Sequence, residues 1–213
     1  MITPANFYTE RIPKQFNRAL DLQAQQAAEE GDDGDAARIL ASLKSVDVTI
    51  RAIVSSAPNQ AGDTFYLNVT QGRMDGTDGS ASHPVFLTLC HDAATLAPLM
   101  RESGDSVLGF LGGLAGMSGD LRLTRQRIEN LAGLAGSVRF TLTGENGFSI
   151  VIHLGTEPIP AEPDCTIEVD GAMYGDLKSG KLPPQEAFMS GKINIGGDMQ
   201  MAMQLALAAM TPD

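Results

Sequence analysis

Two periods of apolar residues divide the chain. Phe16, Ala19, Leu20, Ala24 and Ala27 recur at helical spacing, which predicts a first long helix opening at Pro13. The run EEGDDGD at 29–35 breaks it; like charges interleaved with glycine make a solvated connection rather than a metal site. Ala36, Ile39, Leu40 and Leu43 predict a second helix over 35–44. From Val46 the period falls to two. Val46, Val48, Ile50 and Ala52 alternate with Asp47, Thr49 and Arg51, and the same alternation returns at Phe65, Leu67 and Val69 and at Val85, Leu87 and Leu89. DGTDG at 75–79 reads as a loop, because Asp-Gly pairs are turn residues before they are calcium ligands and no EF-hand Glu follows. Asp92 is placed to cap a helix through Met100 that Pro98 shortens or kinks.

The segment SVLGFLGGLAGMSG at 106–119 is too short to span a bilayer and has no Lys-Ser/Thr pair for a phosphate loop. Gly109, Gly112, Gly113 and Gly116 fit either close backbone packing or an apolar lid. Beyond it, strands are predicted at 137–143, 148–154 and 165–169. Aligning Met117-Ser118-Gly119 with Met189-Ser190-Gly191 puts Leu121 and Leu123 on Ile193 and Ile195, and a helix from Gln126 on the last helix, at one constant offset. The chain then reads as an internal duplication, with a coincidental triplet as the rival reading. The corresponding division is an N-terminal helix and acidic linker at 1–34, a divergent unit at 35–125 and a second unit at 126–213. Alternation on this scale implies sheets with one apolar face, and such a face must be covered by helices.

The most specific stretch is KLPPQEAFMSGKINIGGDMQMAMQLALAAM at 181–210. Pro183 and Pro184 suit a helix start and Gly191 a helix exit; Ile193 and Ile195 alternate around Asn194 as in a half-buried strand. Asp198 can cap the helix that follows, which carries Met199, Met203, Leu207 and Met210 as one stripe flanked by Met201 and Leu205. Such a stripe either closes a core or, methionine being flexible and polarizable, forms an adaptable ligand wall. The order Ser179-Gly180-Lys181, Pro184, Ala187-Phe188, Gly191-Lys192, Gly197-Asp198-Met199, Ala202-Met203 resembles the closing third of the sterol carrier protein 2 family, the nonspecific lipid-transfer proteins. The resemblance covers about 136–210. It implies an α+β fold, a mixed, largely antiparallel sheet covered on one face by helices, with an apolar lipid tunnel between them. The chain ends in Thr211-Pro212-Asp213, without the Ser-Lys-Leu type of ending found on eukaryotic members.

Composition narrows the function. Fifteen basic against 26 acidic residues give −11, which argues against a nucleic-acid partner and weakens docking on anionic bilayers, leaving at most transient membrane contact. No long apolar run and no signal peptide is present, so a cytoplasmic protein is expected. Cys90 and Cys165 fall in predicted strands and read as buried reduced thiols. His83, His91 and His153 occur singly, Cys90 and His91 point to opposite strand faces, and no G-x-S-x-G, H-E-x-x-H or C-x-x-C motif occurs. No cofactor, metal ligand or catalytic residue is assigned.

The expectation is therefore a noncatalytic carrier of an apolar small molecule, whether fatty acyl, sterol-like or polyisoprenoid. The alternative is an accessory module of a lipid or quinone pathway whose cavity is filled by its own side chains. Strand faces and helix stripes give the candidate lining residues Phe140, Phe148, Ile150, Ile152, Ile167, Phe188, Ile193, Ile195, Met199, Met203 and Leu207.

Overall fold

The computed structural model describes residues 3–56, 62–103, 122–145 and 147–209. The chain enters helix at once, with the Thr3 hydroxyl accepting from the Asn6 N–H and Pro4 in the first turn. Helix α1 (Pro4–Asn6) runs through a π-helical turn (Phe7–Arg11) into α2 (Ile12–Glu30). The start expected at Pro13 is thus too late. Proline has no N–H to give the carbonyl four residues earlier and its ring crowds that carbonyl; the widened turn just before it relieves both problems. It also directs the neighbours Phe7 and Tyr8 together into the core. Gly31 ends α2, and α3 (Asp35–Lys44) follows as expected.

Eight strands form one sheet: β1 (Val48–Ser55), β2 (Gly62–Thr70), β3 (Arg73–Thr77), β4 (Val85–Asp92), β5 (Gly136–Thr143), β6 (Phe148–Leu154), β7 (Cys165–Asp170) and β8 (Asn194–Gly197). Their order is β3-β2-β1-β4-β6-β5-β7-β8. Two pairings are parallel, β1 with β4 and β5 with β7, and the others are antiparallel. The fold is α+β with a mixed, largely antiparallel sheet, as the resemblance implied.

Two sequence expectations fail here. Asp75, Gly76 and Thr77 lie within β3 rather than in a loop. The turn is Gln71-Gly72, both at positive φ, a two-residue hairpin connection. Gly76 is in a strand because the N-terminal helix crosses it: a Cβ there would overlap the Tyr8 carbonyl oxygen. The strand expected at 121–123 is not formed at Arg122 or Leu123, and Leu121 lies outside the described residues. Strand β6 already occupies the place beside β4. The helix expected from Gln126 is present as α5 (Arg125–Ala132). The segment 106–119 and Met210 also lie outside the described residues.

One sheet face is apolar across all its strands and is covered by helices. Ile50 and Ala52 register with Leu67 and Phe65 on β2 and with Leu87 and Leu89 on β4, and the face continues through Ile152 and Val138 to Cys165. The opposite face carries polar residues, among them Arg51, Thr88, His153 and Ser137. Cys165 belongs to the apolar face and Cys90 to the other, and both are free thiols. Helix α4 (Leu96–Ser103) follows a 3-10 turn capped by Asp92, which accepts from the Thr95 N–H. Among the described residues no helix is long and apolar enough to cross a membrane.

Candidate ligand-binding face

The second half of the sheet presents its apolar residues in rungs that run straight across the strands. Ile150, Phe140, Ile167 and Ile195 form one rung from β6 to β8. Phe148, Leu142 and Val169 form the next. Six of the expected lining residues, Phe140, Phe148, Ile150, Ile152, Ile167 and Ile195, therefore share one face. Cover thins along the rung: Ile150 is 1% exposed and Phe140 7%, while Ile167 and Ile195 are only partly buried. Ile193, just before β8, and Phe188 are also partly buried.

Three helices flank this face. Helix α6 (Gly171–Lys178) starts where the Asp170 carboxylate accepts from the Met173 N–H, 2.9 Å away, and it buries Tyr174 and Leu177 over β5 and β7. Helix α7 (Pro184–Met189) follows the buried Leu182 and buries Ala187. Helix α8 (Met199–Ala209) starts at Asp198, whose carboxylate accepts from the Met201 N–H at 3.0 Å. The capping role read for Asp198 is thus present.

The orientation of α8 corrects the expected wall. Met201, Ala202, Leu205 and Ala208 face the core, whereas Met199, Met203 and Leu207 are 52%, 50% and 64% exposed. Every residue of MQMAMQLALAA except its two glutamines is apolar, so both faces offered an apolar stripe and periodicity could not choose between them. The inward choice follows from the neighbours: α8 packs on α5, β7 and β8, and the Met201 sulfur lies where a side chain at Gly136 would go. Strand alternation could have added Val138, Leu142 and Val169 to the expected set. Tyr174 and Leu177 had no comparable signal, because α6 is short and only weakly amphipathic.

Several polar groups among the described residues are bound into structure. The Ser137 N–H and hydroxyl donate to the Asp164 carboxylate at 2.7 and 3.0 Å, which holds that carboxyl below its usual range. The buried Arg127 donates to the carbonyls of Ala209 and Arg122, fixing the end of α8 to the segment before α5. His153 lies on the polar sheet face but is buried, bonded through Nε2 to the Glu157 carbonyl. In the first half the Tyr8 hydroxyl donates to His91 Nε2 at 2.6 Å, since His91 Nδ1–H is committed to the Asp92 carbonyl at 2.7 Å. Burial pushes the Tyr8 phenol far above its usual range and holds His91 below its own. This pair lies beneath the N-terminal helix, sealed from any substrate. Among the described residues no three His, Cys, Asp or Glu side chains group to hold a metal ion.

Residues 121–209 match the sequence model of the SCP-2 sterol transfer family. This segment is an SCP-2 domain. It takes in α5 through α8, strands β5 to β8 and every candidate lining residue. Over 50 residues the chain is 42% identical to "Sterol carrier protein 2" of Rattus norvegicus, a match covering 24% of this chain and 9% of that protein. Over 144 residues it is 28% identical to "Hydroxysteroid dehydrogenase-like protein 2" of Xenopus tropicalis, covering 59% of this chain and 34% of that one. The chain thus spans well under two thirds of either relative. Among solved structures, Sterol Carrier Protein 2 Like 2 from Aedes aegypti is 19% identical with a TM-score of 0.32, covering 50% of this chain and 96% of that one.

Proposed function

We propose that the SCP-2 domain is a noncatalytic carrier, holding one apolar molecule against the sheet face of β5–β8 beneath α6, α7 and α8. The observation that carries this reading is the partly exposed edge of the face. Ile167 and Ile195 in the sheet, and Ile193 and Phe188 outside it, are only partly buried, whereas Ile150, Ile152 and Phe140 on the same sheet face are buried. Apolar surface at a short edge strand is better covered by a ligand than by water. A 16-carbon acyl chain burying most of its methylenes would gain about 12 kcal/mol at about 0.8 per methylene. After roughly 4 kcal/mol or more for lost freedom, binding falls near the micromolar range. A fatty acyl, sterol-like or polyisoprenoid molecule meets the same requirement of bulk without charge. Cytoplasmic placement fits the two free thiols.

Mass spectrometry of an organic extract of protein purified without detergent, together with titration of a fluorescent fatty acid, tests the reading. Copurified lipid and micromolar binding, weakened at least tenfold by Ile195→Gln, are expected. Extracts free of lipid and no binding at micromolar concentrations would overturn it.

A second reading has its own observation. Ile150, Ile152, Phe140 and Phe148 are sealed by protein, so the inner part of the face is ordinary core. An accessory module of a lipid-pathway enzyme would need no more than that. It predicts that the same titration finds nothing while the fold stays intact.

A further inference from the structure

On the polar face of the sheet His153 is 2% exposed and has one ring nitrogen without a hydrogen-bond partner. Its Nε2 meets the Glu157 carbonyl at 2.8 Å, and a carbonyl only accepts, so Nε2 carries the ring proton and Nδ1 is a buried lone pair. A buried acceptor without a donor is costly and calls for a reason. The strand register supplies its surroundings. Thr88 lies beside His153 on β4, its hydroxyl accepting from Arg51 Nε, and Ser137 lies beside it on β5. The next rung of this face carries Cys90, whose thiol burial pushes up, and Arg139. Ser137 grips Asp164 from the loop before β7: its N–H and hydroxyl both donate to Oδ2, and its hydroxyl accepts from the Asp164 N–H at 3.3 Å. The second carboxylate oxygen, Oδ1, takes part in none of these bonds. The other carboxylates of that loop, Glu157 and Glu162, belong to exposed residues.

Asp164 is also the root of α8. Its carbonyl accepts from the Asp198 N–H at 2.8 Å, and Asp198 in turn caps α8. The junction requires Gly197, which sits at φ +76°; a Cβ there would come 2.4 Å from the same carbonyl oxygen. A Cβ on Gly136 would meet the Met201 sulfur at 2.8 Å and Asp164 Oδ2 at 3.1 Å, so the inward side of α8 packs into this corner as well. We infer that His153 and Asp164 form a proton-operated clasp that holds the start of α8 and thereby regulates exchange at the proposed carrier site. With His153 neutral, Nδ1 and the carboxylate are two acceptors with no hydrogen between them. One proton on Nδ1 makes the ring a donor to Oδ1 and ties β6 to the loop, β8 and α8. The carboxylate is ionised throughout mild acid, because the two bonds from Ser137, and after them a charge on His153, hold it below its usual range. Mild acid therefore tightens the root of α8 and slows the passage of ligand beneath it. The effect on ligand rests on the carrier reading; the clasp itself does not.

The test uses the full chain in a His91→Gln background, so that the buried histidine of the first half is silent between pH 7.5 and 5.5. Release of an uncharged fluorescent long-chain alcohol into cyclodextrin reads ligand exchange. Hydrogen exchange of the Asp198 amide, corrected for its intrinsic pH dependence, reads the clasp without any ligand. On going to pH 5.5, release is expected to slow and Asp198 protection to rise by about threefold each, the size of one solvent-facing ion pair. His153→Gln and Asp164→Asn are each expected to abolish both responses, and Asp164→Glu to restore them in part. A purely structural role would shift the rates at both pH values and leave their ratio unchanged. That result overturns the clasp, as does a parent chain whose Asp198 protection acid leaves unchanged or lowers, or a response that survives His153→Gln. If His153→Gln does not fold, a response that survives Asp164→Asn overturns it equally. A parent that binds the probe with pH-independent release, while Asp198 protection still responds, separates the clasp from the site and overturns the regulation. A parent that binds no probe at any pH, yet shows the His153-dependent protection, strikes the carrier reading and keeps the clasp.

Discussion

The two halves of the sheet are wired alike and roofed differently. In the first, β1 pairs antiparallel with β2 and parallel with β4; in the second, β5 pairs antiparallel with β6 and parallel with β7. Over the first half lies a long helix whose widened turn presses Phe7 and Tyr8 onto Phe65, with the Tyr8 and Phe65 rings stacked 5.5 Å apart and the Phe7 ring edge-on to Tyr8 at 5.2 Å. Over the second half lie three short helices, and the outer rung residues Ile167 and Ile195 remain half-covered. One apolar sheet face is thus closed over at one end and only partly covered at the other, where we propose that a ligand sits. What decides is the bulk and continuity of the cover, not the strands beneath it.

The contrast breaks most directly at Tyr8. Tyr8→Ala removes a fully buried ring from the sealed half and is expected to cost about 3–5 kcal/mol in denaturant unfolding. A loss below about 1 kcal/mol would show that the N-terminal helix is not what seals that half. A matched pair in the second half gives the next largest effect. Ile150→Ala, at the sealed end of the rung, is expected to lose about 2–5 kcal/mol with probe affinity little changed. Ile195→Ala, at the open end, is expected to lose clearly less while weakening the probe. Equal losses at the two positions would make the face one continuous core.

Strand faces were the most legible part of this molecule, because a half-buried strand writes its orientation into every second residue. Phe140, Ile150, Ile152 and Ile167 were assignable to one face on that basis. The hidden parts share a physical cause: the deciding atoms came from far along the chain. Asp75-Gly76 carries a local turn signal, yet the crossing backbone of Tyr8 makes it strand. Pro13 carries a helix-start signal inside a helix already running, and the π-helical turn that accommodates it has no simple sequence mark. Helix α8 is apolar on nearly all sides, so only its neighbours determine which methionines go in. The β4–β6 pairing joins strands on either side of position 125, and no local pattern announces it.

Acid gives a smaller test of the sealed half. Burial holds His91 below its ordinary value of 6.5, so the folded state keeps it neutral while the unfolded chain takes up a proton. Its contribution to stability is fully present above about pH 6.5 and is lost as pH falls from there through the lowered folded value. The denaturant midpoint is expected to drop between pH 7.5 and 5 in wild type and to drop less in His91→Gln. Identical pH profiles would remove His91 from the account. Asp164, held below its ordinary 3.8, acts in a separate window: its contribution is present above that value and is lost only at lower pH. The smallest expected effect is at Met203. Being half exposed, Met203→Ala should change stability by no more than about 0.5 kcal/mol. A core-sized loss there would return α8 to the inward orientation its sequence had suggested.

The β4–β6 pairing has a practical consequence for anyone handling this chain in pieces. Leu87, Thr88, Leu89 and Cys90 meet Leu154, His153, Ile152 and Val151 along the seam. A chain severed ahead of α5 would leave each fragment with a raw edge strand, a ready template for the other. Produced separately, the fragments should be poorly soluble; refolded together, they should reassemble through that seam. The molecule thereby contains the layout of a split reporter, in which recovery of one sheet signals that two tethered fragments have come within reach.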